Sequence, residues 1–174
     1  MSKHNNVFLV GPMGAGKTTI GRILAKNLSL KFVDLDAEIE KRCGADIPWI
    51  FDVEGESGFR KRESLLLEEL VAGEGILLAT GGGAVIDPHN RQLLKQRGCV
   101  VYLCASAKQL LDRTSHDKSR PLLQVDDPMA VLTRLMDERD PLYREVADLI
   151  VETERKKPQA VAEWVAREVR QFYS

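Results

Sequence analysis

The chain has 174 residues, with 25 Lys or Arg against 26 Asp or Glu, a formal net charge of −1. That length suits one domain with a small insertion, and 44% hydrophobic with 29% charged residues excludes a generally disordered chain. The near-zero charge argues against nucleic acid or an anionic membrane as the main partner, because both demand a basic excess. The longest apolar run, Cys99–Ala105, falls well short of the ~20 residues of a membrane span. No apolar signal segment follows Met1–Asn6, since Val7–Val10 stops at Gly11. Cys43, Cys99 and Cys104 are odd in number and lack zinc spacing, so they read as free thiols in a reducing compartment. On a strand, the odd offset points Cys99 and Cys104 to opposite faces.

Along the chain, strands and helices alternate. Asn6–Val10 reads as a strand. Thr18–Leu28 reads as a helix, with Ile20, Ile23, Leu24 and Leu28 on one stripe. Lys31–Asp34 is a second strand, and Asp36–Arg42 a helix that Gly44 stops. Ser57–Ala72 is a longer helix whose stripe is Leu65, Leu66, Leu67 and Leu70. Ile76–Ala79 is a strand running into Gly81-Gly82-Gly83, followed by a helix at His89–Gln96 and a strand at Cys99–Leu103. A helix at Ser106–Thr114 leads into a polar loop, Ser115–Asp127. A helix at Pro128–Arg139, which Pro141 breaks, a strand at Asp148–Val151 and a helix at Gln159–Phe172 complete the chain. This alternation predicts an α/β fold: a parallel sheet flanked by helices, with ligands beyond the carboxyl ends of the strands.

The distinctive residues lie at those ends. Gly11-Pro12-Met13-Gly14-Ala15-Gly16-Lys17-Thr18 satisfies the G-x-x-x-x-G-K-[ST] phosphate loop between a strand and a helix. Its backbone N–H groups and the helix dipole suit a nucleoside triphosphate. Lys17 is expected to reach the β- and γ-phosphates, and the Thr18 hydroxyl to sit on Mg²⁺. Asp34 and Asp36 end the second strand, and residues two apart share a side of an extended chain. One carboxylate can hold a metal-bound water while the other accepts a proton from an attacking hydroxyl, although Asp36 could instead cap the next helix. Arg60, Lys61 and Arg62 crowd a first helical turn, where the dipole disfavours cations. A bound carboxylate would explain them, as would pairing of Arg60 with Glu56 or Glu63. Three consecutive glycines imply a special backbone shape or close approach to a ligand. The strand before them reads Leu77-Leu78-Ala79-Thr80 and lacks the usual terminal Asp, which leaves Asp34 to support the metal. Arg120-Pro121 lies where a lid could close over a triphosphate. Arg139 could face the cleft or pair with Asp140.

Taken together, Gly11–Thr18, Asp34-x-Asp36, Gly58-Phe59-Arg60-x-Arg62-Glu63, Ala79–Gly83, Arg120-Pro121-Leu122-Leu123 and Arg139-x-Pro141-Leu142-Tyr143 resemble the shikimate kinases over nearly the whole chain. The resemblance implies a P-loop kinase fold on a five-stranded parallel sheet: a single domain over 1–174, with a substrate-binding segment at about 36–63 and a lid at about 115–127. It implies transfer of the ATP γ-phosphoryl group to the 3-hydroxyl of shikimate in aromatic amino-acid biosynthesis. ATP would be held by Gly14, Ala15, Gly16, Lys17, Thr18, Thr19 and Arg120. Asp36, Lys17 and Arg120 would be catalytic. Asp36, Arg60, Gly82 and Arg139 would bind shikimate, with the two arginines on its carboxylate. Mg²⁺ would be ligated by Thr18 directly and by Asp34 through water. Members of the family are cytoplasmic and mostly monomeric, and no nucleic-acid or membrane partner is implied. Leu35 stands where similar members often carry a small polar residue, and it is expected to point away from the site. A gluconate kinase shares the phosphate loop and an acidic sugar substrate. An adenylate kinase fits the motif set less well. A nucleotide-binding regulator without catalysis would be expected to have lost the base or the substrate arginines, and none is lost.

Overall fold

The computed structural model describes residues 5–115 and 121–174. Five strands, β1 (Val7–Val10), β2 (Lys31–Asp34), β3 (Ile76–Ala79), β4 (Cys99–Cys104) and β5 (Leu149–Glu152), form one sheet in the order β2-β3-β1-β4-β5. Every pairing is parallel. β1 is buried throughout and β4 nearly so, as strands covered on both faces must be, whereas the outer strands β2 and β5 carry exposed positions. The helices are α1 (Lys17–Leu28), α2 (Leu35–Cys43), α3 (Ile47–Val71), α4 (Pro88–Arg97), α5 (Ala107–Thr114), α6 (Pro128–Val146) and α7 (Pro158–Tyr173). Two apolar cores result, one on each face. The first gathers Leu9, Leu24, Leu77, Val101 and Val165; the second gathers Phe8, Ile50, Leu67, Leu78 and Tyr102. Cys99 belongs to the first and Cys104 packs against the second, as the odd offset requires. No helix among the described residues is long and apolar enough to cross a membrane.

Four sequence expectations change. The Ser57–Ala72 helix begins ten residues earlier, at Ile47, with Asp46 capping Trp49 N and Pro48 in its first turn. It breaks at Gly55 (φ 73°, ψ 177°) and then resumes. Its stripe is also narrower: Leu66 and Leu67 are buried, but Leu65 is 61% exposed. Pro141 does not end α6, which continues to Val146. Proline there removes one backbone donor. Burial of Tyr143 and Val146 beyond it, and the bond from Tyr102 to Asp140 Oδ1 at 2.6 Å, hold the turn in place. Packing thus overrides propensity, and it sets Arg139 and Tyr143 one helical turn apart on a single buried face. Finally, the 115–127 segment is not all irregular: Pro121–Leu123 forms a 3₁₀ turn that buries Leu123.

Candidate active site

The phosphate loop leaves β1 and enters α1. Gly14 and Gly16 have φ of 82° and 97°, a conformation a side chain would strain. Ala15 is buried beneath the loop, while Thr18 and Thr19 are exposed at its mouth. Gly16 caps α1 without a side-chain bond, so the first N–H groups of the helix face outward at its positive end. Lys17 Nζ folds across the loop and donates to Gly11 O (2.7 Å) and Pro12 O (2.8 Å). Arg113 of α5, unmarked in the sequence, donates to Gly14 O at 3.0 Å and braces the loop from the far side.

Asp34 and Asp36 do not act as a strand pair, because α2 begins between them. Asp34 is the helix cap: its Oδ1 accepts from Ala37 N at 3.0 Å, and its Oδ2 accepts from Thr18 Oγ1 at 2.8 Å. The capping role considered for Asp36 therefore belongs to Asp34. Asp36 turns into a different region, against Gly81 and Glu63. Leu35, between them, is fully buried in the second core and points away from the site. Thr18 and Asp34 offer hard oxygen donors beside the phosphate loop. That suits Mg²⁺, which takes few protein ligands and keeps phosphate oxygens and waters for the rest.

The glycine triplet owes its composition to close approach, since none of its φ angles is positive. A Cβ on Gly81 would stand 2.8 Å from Asp36 Oδ1 and 2.8 Å from Glu63 Oε2. One on Gly82 would meet Met13 N at 3.3 Å and Arg139 Nη1 at 3.6 Å, and one on Gly83 would overlap the Arg60 guanidinium. Tyr143 donates to Gly82 O at 2.5 Å and fixes the turn. Burial pushes its phenol up to about 12, which keeps it a donor.

Arg60 makes both of the pairings considered for it: Nη1 to Glu63 Oε1 at 3.0 Å and Nη2 to Glu56 Oε1 at 3.3 Å. Arg62 pairs instead with Glu54 at 2.7 Å. Asp36, Arg60, Glu63, the three glycines and Arg139 line one cavity of about 430 Å³, its open mouth included. Met13, Ile47, Phe51 and Phe59 supply its apolar wall, and Pro121 and Leu122 its rim. Arg139 is buried and faces this cavity. Arg120 lies outside the described residues. The sequence offers Glu63 only as a partner for Arg60 and Ile47 and Phe51 only as part of the 36–63 segment, although Asp46 followed by Pro48 is a helix-start signature for the helix that carries them. Burial raises the Glu63 carboxyl to about 7, opposed by Arg60 and assisted by the Asp36 carboxylate.

A phosphate loop and a cavity lined by two arginines side by side restrict the fold's possible chemistries, and comparison with known proteins narrows them further. The shikimate kinase family model matches residues 13–170. The chain belongs to the shikimate kinase family. It is 57% identical to the shikimate kinase of Pseudomonas paraeruginosa over 96% of this chain and 97% of that one. It is 54% identical to that of Hahella chejuensis over 95% and 86%. The solved shikimate kinase of Acinetobacter baumannii, in complex with shikimate, superposes with a TM-score of 0.95 at 50% identity, covering 97% of this chain and 94% of that one. A gluconokinase from Sinorhizobium meliloti, at 16% identity and a TM-score of 0.56, shares only the fold.

Proposed function

We propose that this chain is a shikimate kinase that transfers the γ-phosphoryl group of ATP to the 3-hydroxyl of shikimate, giving shikimate 3-phosphate and ADP. The observation that carries this reading is the convergence of Asp36, Arg60 and Arg139, from three separate helices, on one cavity beside the phosphate loop. In it, Arg60 and Arg139 hold the substrate carboxylate, and the half-buried Gly82 presents its backbone to the ring. Asp36 accepts the proton of the attacking hydroxyl as the new O–P bond forms and the bond to the β-phosphate oxygen breaks. Lys17 exchanges its two loop carbonyls for phosphate oxygens, and the backbone of Gly14–Thr19 cradles the remaining charge. Thr18 directly and Asp34 through water would hold Mg²⁺, which would supply charge neutralisation at the phosphates. The family resemblance supports Arg120, within the 115–127 segment, as a further phosphate-binding residue. The enzyme works as a cytoplasmic monomer, a reading supported by family membership and, against nucleic-acid or membrane partners, by the charge balance.

A coupled assay for ADP release, with shikimate, gluconate and AMP offered separately, tests the assignment. Turnover is expected with shikimate and should depend on Mg²⁺. Turnover with gluconate or AMP but not with shikimate would overturn it.

A further inference from the structure

The transfer described above gives Glu63 no task, yet this carboxyl is 1% exposed and lines the substrate cavity. Arg60 faces it from its own helix α3, Asp36 from α2, and Arg139 and Tyr143 from α6. Its Oε1 accepts from Arg60, while Oε2 is buried without a hydrogen-bond partner among the described residues. Oε2 and Asp36 Oδ1 close on the same side of Gly81. Two carboxylates this close and shielded from water disfavour each other's charge. Burial and Asp36 already bring Glu63 to about 7 in the free protein. A substrate carboxylate arriving at Arg60 adds another negative charge and competes with Glu63 for the same guanidinium.

We infer that Glu63 is a positioning residue that takes up a proton as the substrate carboxylate binds, releasing Arg60 from a competing charge while still accepting its hydrogen bond. This rests on Arg60 holding the substrate carboxylate. The proton comes from solvent and resides on Glu63, and no covalent bond of the substrate changes. The neutral carboxyl keeps an acceptor for Arg60 and gains an O–H that can donate from Oε2. The sign follows from linkage. Affinity for shikimate is full below the Glu63 pKa of the free protein. It falls as pH rises above that value, approaching about tenfold per pH unit for one proton, and levels off above the pKa of the bound form.

Isothermal titration of the full chain with shikimate alone, at about pH 7.5 in phosphate and in Tris, reads the proton directly, because the two buffers differ in ionisation enthalpy. The observed heat should differ between buffers by the uptake of a fraction of one proton. Glu63→Gln should abolish that difference and flatten the pH dependence of Kd. Glu56→Gln, which removes the more exposed partner of Arg60, should leave both as in wild type. Carboxyl ¹³C NMR of the wild-type chain provides a check that needs no variant: one glutamate should titrate near neutrality and shift upward when shikimate is added. Binding with buffer-independent heat, or an equal uptake in Glu63→Gln, would overturn the inference and leave the kinase assignment standing. No shikimate binding in any buffer would overturn both.

Discussion

Gly83→Ala tests whether the glycine triplet exists to seat the substrate arginine. The backbone at Gly83, φ −101° and ψ 5°, is open to alanine, so the substitution carries no conformational strain. Its only effect is contact. The new Cβ would stand 2.5 Å from Arg60 Nη1, a distance real Cβ atoms do not tolerate. The guanidinium ends a flexible side chain and can swing aside, so the fold should survive. Its bond to Glu63 at 3.0 Å cannot survive that movement. A displaced Arg60 forfeits a charge-assisted bond to the substrate carboxylate, about 1.5–3 kcal/mol, which weakens shikimate binding about 10- to 150-fold. The buried Glu63 also loses its partner, costing about 1–3 kcal/mol of stability, less whatever protonation recovers. Titration calorimetry with shikimate measures the first effect and urea denaturation the second. ATP affinity should not move, since the phosphate loop is untouched. A shikimate Kd indistinguishable from wild type in a variant with full ATP affinity would refute the close-approach argument for Gly83 and the placement of Arg60.

Two further substitutions separate the two aspartates. Asp36→Asn should lower kcat by about 10²–10⁴ at unchanged ATP affinity if Asp36 accepts the hydroxyl proton, and steady-state kinetics would show near-normal turnover if it does not. Asp34→Asn keeps an acceptor for Ala37 N, so its urea midpoint should stay near wild type while the Mg²⁺ concentration needed for half-maximal activity rises; Asp34→Ala should lose in addition about 1 kcal/mol of helix-cap stability.

The sheet and the phosphate loop were legible because their signals are local. Apolar runs bounded by turns gave the five strands to within a residue or two, and the loop motif sits between its strand and helix as expected. What escaped depends on tertiary contacts. Pro141 looks like a terminator until Tyr143 and Val146 are seen to be buried beyond it. Leu65 has the same character as Leu66 and Leu67, and only the direction of the core shows it to be exposed. Asp34 and Asp36 were brought to the right region for the wrong reason: their spacing suggested one shared side, whereas the start of α2 between them sends one to Thr18 and the other to Gly81. The triplet's purpose was half readable. Close approach was correct, but the bodies approaching include Arg60, Asp36 and Glu63 of the protein itself, and no pattern in the sequence names them.

Glu63 also alters the electrostatic character of the pocket. Counted from the sequence, Lys17, Arg60, Arg120 and Arg139 face Asp34 and Asp36, which describes a basic pocket within a neutral chain. In the structure, Arg62 turns away to Glu54, and the substrate half sets Arg60 and Arg139 against Asp36 and the partly ionised Glu63. An anion therefore does not fall into a positive hole; it enters an existing set of pairings. The benefit is geometric. Arg60 is oriented by the buried Glu63, and Arg139 is buried beside Tyr143, so neither head has to be immobilised when substrate arrives. The cost is competition, because the group that orients Arg60 also occupies it. A permanently neutral partner would orient it more weakly, and a permanently charged one would hold it against the substrate. A carboxyl poised near neutrality can do the first before binding and withdraw its charge on binding, which is a physical reason for a glutamate to be buried there.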